Sequence, residues 1–157
     1  MTILPLLFLL LQAPASALQV PDLVPPVRQA ARNSPTELPV LREGTALFDQ
    51  GKYDEAIARY EQILKANPEN ISAIYEMAQT YWKKKEYQRA IDLAAKATQY
   101  SAPELPQVYA LIGNVLDEAR EPQKAIDVYK KGIALNTPNQ GILYLNMGVT
   151  YQMALRD

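Results

Sequence analysis

Apolar residues recur from residue 37 onward at the three- and four-residue spacings of amphipathic helices, broken at intervals by short polar turns. Gly51 suits a left-handed helix stop, Asn70 can cap the helix after it, and Pro122 suits a first helical turn. The pattern predicts seven helices, at about 38–50, 53–66, 71–84, 87–100, 106–119, 122–135 and 141–155. Residues 37–157 are therefore predicted to be all-α.

Two small residues recur in phase along these predicted helices. Ala56, Ala90 and Ala125, each followed by Ile, are separated by 34 and 35 residues. A second series of small residues recurs with the same period: Gly44, Ala78, Gly113 and Gly148. Each of its first three members lies 12 residues before one of the three Ala residues. Small residues at both places let the two helices of a hairpin approach closely. Two markers with one period indicate a helical repeat rather than an ordinary bundle.

These small residues, with the aromatic and branched residues around them, resemble the tetratricopeptide repeat (TPR) over residues 37–157. The resemblance implies a right-handed superhelical array of antiparallel helix pairs, a TPR-like α-α solenoid. Its units are expected at 37–70, 71–104 and 106–139, with a partial unit at 141–157. About three such units are needed before stacking offsets the entropy of ordering the chain.

In TPR arrays the first helix of each unit lines a concave groove, so the resemblance implies which residues contact a partner. The predicted partner-binding residues are Arg42, Thr45, Phe48, Asp49, Tyr75, Gln79, Trp82, Lys83, Asn114, Asp117 and Asn146. Glu76, Gln107 and Glu118 occupy further groove positions. The mixture of aromatic, amide and charged groups suits a protein or an extended peptide. The alternative is a solvated helix face, with Trp82 packed at the groove edge.

One subgroup of the family binds a partner's terminal carboxylate through Lys, Asn and Arg at five positions. Those positions here hold Leu41, Thr45, Glu76, Gln107 and Leu111. Without basic residues they cannot supply the charge that a carboxylate requires. The resemblance therefore disfavours a receptor for chaperone tails.

The first 36 residues differ from the rest of the chain. Residues 1–17 carry no charged side chain, contain an apolar run from Ile3 to Leu11 and end in Ala15-Ser16-Ala17, which predicts a secretory signal peptide cleaved before Leu18. The alternative is an apolar helix docked on the repeats, but Pro5 and Pro14 disfavour it. The chain is expected in the periplasm or outside the cell, with no stable membrane span after cleavage. Residues 18–36 are Pro-rich and predict a partly extended tether, with a turn of helix near 27–31.

Composition limits the chemistry of the chain. It contains no His and no Cys, so the commonest general base, the thiolate nucleophile and the commonest metal ligands are absent, and no cofactor or metal is expected. The 16 basic and 17 acidic residues are balanced, which makes nucleic acid a poor partner. Adjacent carboxylates such as Asp117 and Glu118 diverge on a helix, so they are poor acid–base pairs.

The sequence therefore predicts an exported, non-catalytic scaffold that binds a protein or peptide. A docking segment of a larger secreted or envelope assembly is the first alternative, and a hydrolase or transferase using groove carboxylates is the second. The partial fourth unit carries apolar residues on every side of its helix, among them Tyr144, Leu145, Val149 and Leu155. Self-association through 141–157, or fraying of this helix, is expected.

Overall fold

The computed structural model describes residues 17–30 and 33–154. The proposed signal region up to residue 16, together with residues 31–32 and 155–157, lies outside the described residues. Seven helices are present in the described part: α1 (Glu37–Asp49), α2 (Tyr53–Ala66), α3 (Ile71–Lys83), α4 (Tyr87–Ala97), α5 (Leu105–Glu118), α6 (Pro122–Ala134) and α7 (Gly141–Ala154). Two short strands accompany them, β1 (Arg28–Gln29) and β2 (Tyr100–Ser101). The predicted all-α architecture is confirmed.

The helices pair in sequence order. α1 packs on α2, α3 on α4 and α5 on α6, and each pair packs on the next, while α7 contacts both α5 and α6. The first helices of the units thus form one layer and the second helices another. Ala56, Ala90 and Ala125 are fully buried between them, as their spacing predicts. None of the helices in the described ranges is long and apolar enough to cross a membrane.

The turn between the two helices of each complete unit has a residue with positive φ. Gly51, Lys85 and Arg120 have φ of 74°, 64° and 64°. In each turn the next residue's N–H reaches back five residues, as Glu86 N–H does to the carbonyl oxygen of Tyr81 at 2.9 Å, which ends the helix in a Schellman motif. Glycine marked only the first of these turns in the sequence, because only Gly51 takes this conformation without steric cost.

Residues 17–30 lie against the second-helix layer; we call this segment the strap. β1 pairs in parallel with β2, with Arg28 opposite Tyr100 and Gln29 opposite Ser101. The expected turn of helix near 27–31 is therefore wrong for the described residues 27–30, which are extended. The fourth helix was predicted to reach residue 100. It ends at Ala97 instead, because the chain turns at Thr98 and Tyr100 joins the strand pair.

Candidate functional site

The layer of first helices, α1, α3, α5 and α7, carries every residue predicted to bind a partner; we call it the first-helix face. The side chains differ in their solvent exposure. Exposed members are Arg42, Asp49 and Lys83. Half-buried members are Thr45, Phe48, Tyr75, Gln79, Trp82, Asn114, Asp117 and Asn146.

The end of the face contributed by α1 is mostly occupied by intramolecular contacts. Thr45 Oγ1 donates to the carbonyl oxygen of Leu41 at 3.1 Å, within its own helix. The Phe48 ring packs beside Tyr53, with centroids 5.6 Å apart. Arg42 and Asp49 remain exposed, so they are the predicted residues of α1 that a partner can reach without rearrangement.

On α3, Tyr75, Gln79 and Trp82 lie at spacings of four and three residues, which places them along one side of the helix. Tyr75 and Trp82 both pack partly against the main hydrophobic core. Burial raises the pKa of the Tyr75 hydroxyl, and an interaction with Gln79 partly opposes that shift. The two aromatic side chains are thus held by the core and still offer part of their surface, as anchors for a ligand do.

Trp82 is linked to α5 through Glu118. Its indole Nε1–H donates to Glu118 Oε2 at 2.5 Å, and Tyr87 OH donates to Glu118 Oε1 at 3.1 Å. Lys85 forms an ion pair with the same carboxylate, and its hydrogen bond is the largest cause of the lowered pKa of Glu118. Lys83 Nζ lies 5.7 Å from the centroid of the Trp82 ring. These contacts hold the indole at the edge of the face, where part of its surface stays exposed.

A cleft of about 500 Å³ opens beside this cluster. Its walls come from the ends of three first helices and from the turn after α5. The lining residues are Trp82, Asn114, Asp117, Glu118, Arg120, Pro122, Met153 and Ala154. Lys85 and Tyr87, which bind Glu118 beside the cleft, were not among the predicted partner-binding residues, because neither occupies a groove position of the family pattern.

The amide residues at the far end of the face connect the last three helices. Asn114 Oδ1 accepts hydrogen bonds from Tyr129 OH at 2.8 Å and from Asn146 Nδ2 at 2.9 Å. Asp117 Oδ2 accepts one from Thr150 Oγ1 at 3.1 Å. Burial raises the pKa of Tyr129 to about 12, so its hydroxyl stays a donor at neutral pH. These hydrogen bonds already join α6 and α7 to α5, and a ligand would have to share the polar groups that form them.

The middle of the face is acidic. Glu76 is half-buried on α3, and burial followed by the nearby charge of Asp49 raises its pKa above the usual 4.5. Within the described residues no cation forms an ion pair with Glu76. A buried carboxylate without a counter-ion favours a positively charged group placed beside it.

Replacing Glu76 by Gln should raise the free energy of unfolding at about pH 7, since the neutral amide avoids the cost of burying the charge. The folded pKa is raised, so Glu76 binds more protons in the folded state than in the unfolded state, and its contribution to stability should rise as pH falls through the folded pKa. Urea unfolding at about pH 7 and about pH 4 measures both effects. The Glu76→Gln variant should lose this pH-dependent contribution to the free energy of unfolding. The control Glu61→Gln, at an exposed position of α2, should retain it. Equal pH dependence of stability in all three proteins would contradict the prediction.

Comparison with known proteins agrees with this architecture. Models of the family described as "Tetratricopeptide repeat" match residues 47–115 and 106–139. The BBSome complex member BBS4 of Bos taurus is 28% identical over 115 residues, 69% of this chain and 22% of that protein. The Hsp70-Hsp90 organizing protein 3 of Arabidopsis thaliana is 27% identical over 64% of this chain and 18% of its own length. The chain thus spans about a fifth of these relatives.

Solved structures give the same result. The first TPR domain of Spaghetti (RPAP3), bound to the HSP90 peptide SRMEEVD, aligns with a TM-score of 0.65 and 25% identity over 80% of this chain and 97% of that one. A thermophilic TPR protein of Thermus thermophilus, TTC0263, aligns with a TM-score of 0.61 and 26% identity over 75% of this chain and 66% of that one. Since the two family matches together run from residue 47 to 139, more than half of its length, the chain belongs to the tetratricopeptide repeat family.

Proposed function

We propose that this protein is a non-catalytic module that binds a protein or an extended peptide along its first-helix face, which in TPR arrays is the concave groove. The observation that carries the proposal is that Tyr75 and Trp82 are half-buried on one side of α3, and that Trp82 lines the cleft next to Glu118. Aromatic anchors held by a core supply much of the affinity of many interfaces. Arg42 and Lys83 would select charged side chains at the rim.

The charge of the groove disfavours a peptide such as SRMEEVD, the HSP90 peptide to which the Spaghetti domain is bound. The positions of the carboxylate-binding subgroup hold Leu41, Glu76 and Leu111 among others, and Leu111 is buried. Glu76 has no ion-pair partner within residues 17–30 and 33–154 and lies near the charge of Asp49, so it would repel a terminal carboxylate and attract a basic side chain. We therefore propose a partner segment with Lys or Arg opposite Glu76, and expect SRMEEVD to bind weakly if at all.

Replacing both Tyr75 and Trp82 by Ala should weaken partner binding by about 1–3 kcal/mol, because both anchors are truncated. The wild-type chain, used as bait for exported proteins, identifies partners, and titration of each purified partner with both chains gives the affinities. Glu61→Ala with Lys65→Ala, exposed on α2, is the control and should bind normally. Circular dichroism must show intact helices in both variants. Undiminished affinity of the Tyr75 and Trp82 variant would place the binding surface elsewhere.

The alternative is a docking unit of a larger assembly. It is favoured by the similarity to a BBSome complex member, of which the match covers only 22%. In that case the exposed face of α7, rather than the groove, would carry the contact. We propose self-association through 141–154 as the simplest form of such contact. A partner that survives loss of Tyr75 and Trp82 but is lost when α7 is altered would favour this alternative.

We propose, in addition, that the chain is exported and cleaved between Ala17 and Leu18. The support is the uncharged apolar run followed by Ala15-Ser16-Ala17. Protein recovered outside the cytoplasm should have an intact mass that lacks residues 1–17. A variant with Ala15→Arg and Ala17→Arg should remain uncleaved, because small residues are required at both places. Full-length protein found only in the cytoplasm would contradict export.

A further inference from the structure

At the amino end of the strap, two successive residues form hydrogen bonds with α4 and with the start of α6. Leu18 N–H donates to Glu121 Oε1 at 2.7 Å, and Leu18 O accepts from Lys124 Nζ at 2.7 Å. Gln19 N–H donates to Gln88 Oε1, and Gln88 Nε2 donates back to Gln19 O, both at 2.9 Å. Ala17 is exposed, and its carbonyl oxygen accepts a hydrogen bond from Gln19 Nε2 at 3.0 Å within the strap itself. Among the described residues, the hydrogen bonds of the strap to α4 and to the start of α6 begin at Leu18.

Glu121 is a suitable acceptor for more than an amide. Its side chain is only 19% exposed; Oε2 pairs with Lys124, and Oε1 faces Leu18 N. The pKa of Glu121 is lowered, first by the hydrogen bond from Lys124 and also by that from Leu18, so it is ionised at neutral pH. A single amide N–H from Leu18 uses only part of the hydrogen-bonding capacity of this carboxylate oxygen.

We propose that Leu18 is the mature amino terminus and that its α-ammonium group docks on Glu121 as an ion pair, which locks the strap onto the array. A peptidase-catalysed attack of water breaks the Ala17–Leu18 amide bond. The Ala17 carboxylate leaves with residues 1–17, and Leu18 N takes up protons to become an ammonium group. The inference rests on the cleavage proposed above and is independent of groove binding.

The surroundings suit this group. The ammonium replaces one N–H donor with three and adds a positive charge 2.7 Å from an ionised oxygen, a normal length for a charge-assisted bond. On α6, the pocket beside Leu18 also contains Lys124, Asp127 and Lys131. On α4, the neutral Gln88 bonds to Gln19 and also donates to Asp92 at 2.8 Å. Lys124 already donates to Leu18 O, so one dipeptide unit would be held at both its amine and its carbonyl.

The test compares two forms of the protein that differ by one residue. Released from a cleavable leader, one chain begins at Leu18 and the other at Ala17, which moves the ammonium group about 3.8 Å along the chain and leaves an ordinary amide at Leu18. Urea unfolding should give an unfolding equilibrium constant roughly three- to tenfold lower for the chain that begins at Leu18.

The same pair with Glu121→Gln should show no difference between the two chains, while Glu61→Gln, exposed on α2, should preserve it. Equal stability of the two chains with Glu121 present would overturn the docking of the ammonium group. An exported protein whose mass begins at a residue other than Leu18 would overturn the processing step and, with it, the inference. Groove binding by either chain would be unaffected, so the failure of this inference is distinguishable from the failure of the proposed function.

Discussion

Gly113→Ala should destabilise the protein by about 3 kcal/mol, the upper end of the usual cost of overpacking a core. A Cβ atom at Gly113 would fall inside the contact distance of three Tyr129 ring atoms, with Cδ1 at 2.7 Å and Cε1 and Cζ closer still. Tyr129 is fully buried and donates to Asn114, so it cannot withdraw without losing that hydrogen bond. The better helix propensity of Ala, about 1 kcal/mol, offsets only part of this cost.

Gly148→Ala is the matched control, because Gly148 occupies the same repeat position on α7 and a Cβ there meets nothing within 4 Å. It should leave stability unchanged or raise it by up to about 1 kcal/mol. Chemical unfolding of both variants measures the contrast. Equal effects of the two substitutions would show that the close approach at Gly113 does not limit packing.

The second unit of this chain indicates how the clash can be relieved. In the first and third units, a glycine of the first helix (Gly44, Gly113) is combined with a tyrosine of the second helix (Tyr60, Tyr129). In the second unit, the corresponding residues are Ala78 and Ala94. Tyr129→Ala alone should cost about 3–5 kcal/mol through the cavity it leaves. In the double variant with Gly113→Ala the two costs should be less than additive by about 2 kcal/mol, because the added methyl no longer meets a ring. Strict additivity would contradict this account.

The architecture was predictable because the packing repeats. Each close helix crossing needs a small residue, so Gly44, Ala56 and their counterparts recur with the period of the fold. Helix ends marked by a capping side chain or by a glycine were equally predictable from the sequence. Asn70 accepts from Ala73 N–H at 2.9 Å as its capping role predicts, and Gly51 has the expected positive φ.

The strap and the end of α4 were not predictable, because their causes are distant in sequence. The β1–β2 pair joins Arg28 to Tyr100, and no local propensity specifies that pairing. The helical pattern continues up to residue 100, but tertiary pairing overrides it beyond Ala97. The turns at Lys85 and Arg120 were predicted from the helix ends, but their positive φ was not, since hairpin packing and not a glycine imposes it.

For the candidate site, the sequence predicted which helices contribute but not which side chains remain available. Asn114 and Asn146 occupy groove positions, yet they bond to each other across α5 and α7. Glu118 binds the indole of Trp82 only because the ends of α3 and α5 approach each other. Such long-range polar contacts depend on relative helix position to within a few tenths of an ångström, which periodicity does not encode.

The last described helix should make the protein associate with itself. One side of α7 carries Leu143 and Thr150, both fully buried against the array. Its other sides remain apolar and open: Leu145 is 65% exposed and Tyr144 is 55% exposed. The remaining exposed apolar residues of this helix are Ile142, Val149, Tyr151 and Met153. A contiguous apolar surface of this kind drives association, and a second copy offers the same uncharged face without electrostatic cost.

Leu145→Lys with Val149→Lys, four residues apart on the open side, should weaken self-association at least about tenfold, or about 1.4 kcal/mol, because each copy would bring two ammonium groups into the contact. Sedimentation velocity over a range of concentrations gives the association constant. The control, Gln62→Lys with Ala66→Lys, adds the same charges at the same spacing at two exposed positions of α2 and should leave association intact. A wild-type protein that stays monomeric at every concentration, with slow amide exchange across residues 142–154, would instead mean that α7 is a finished cap whose open apolar face forms no contact between copies.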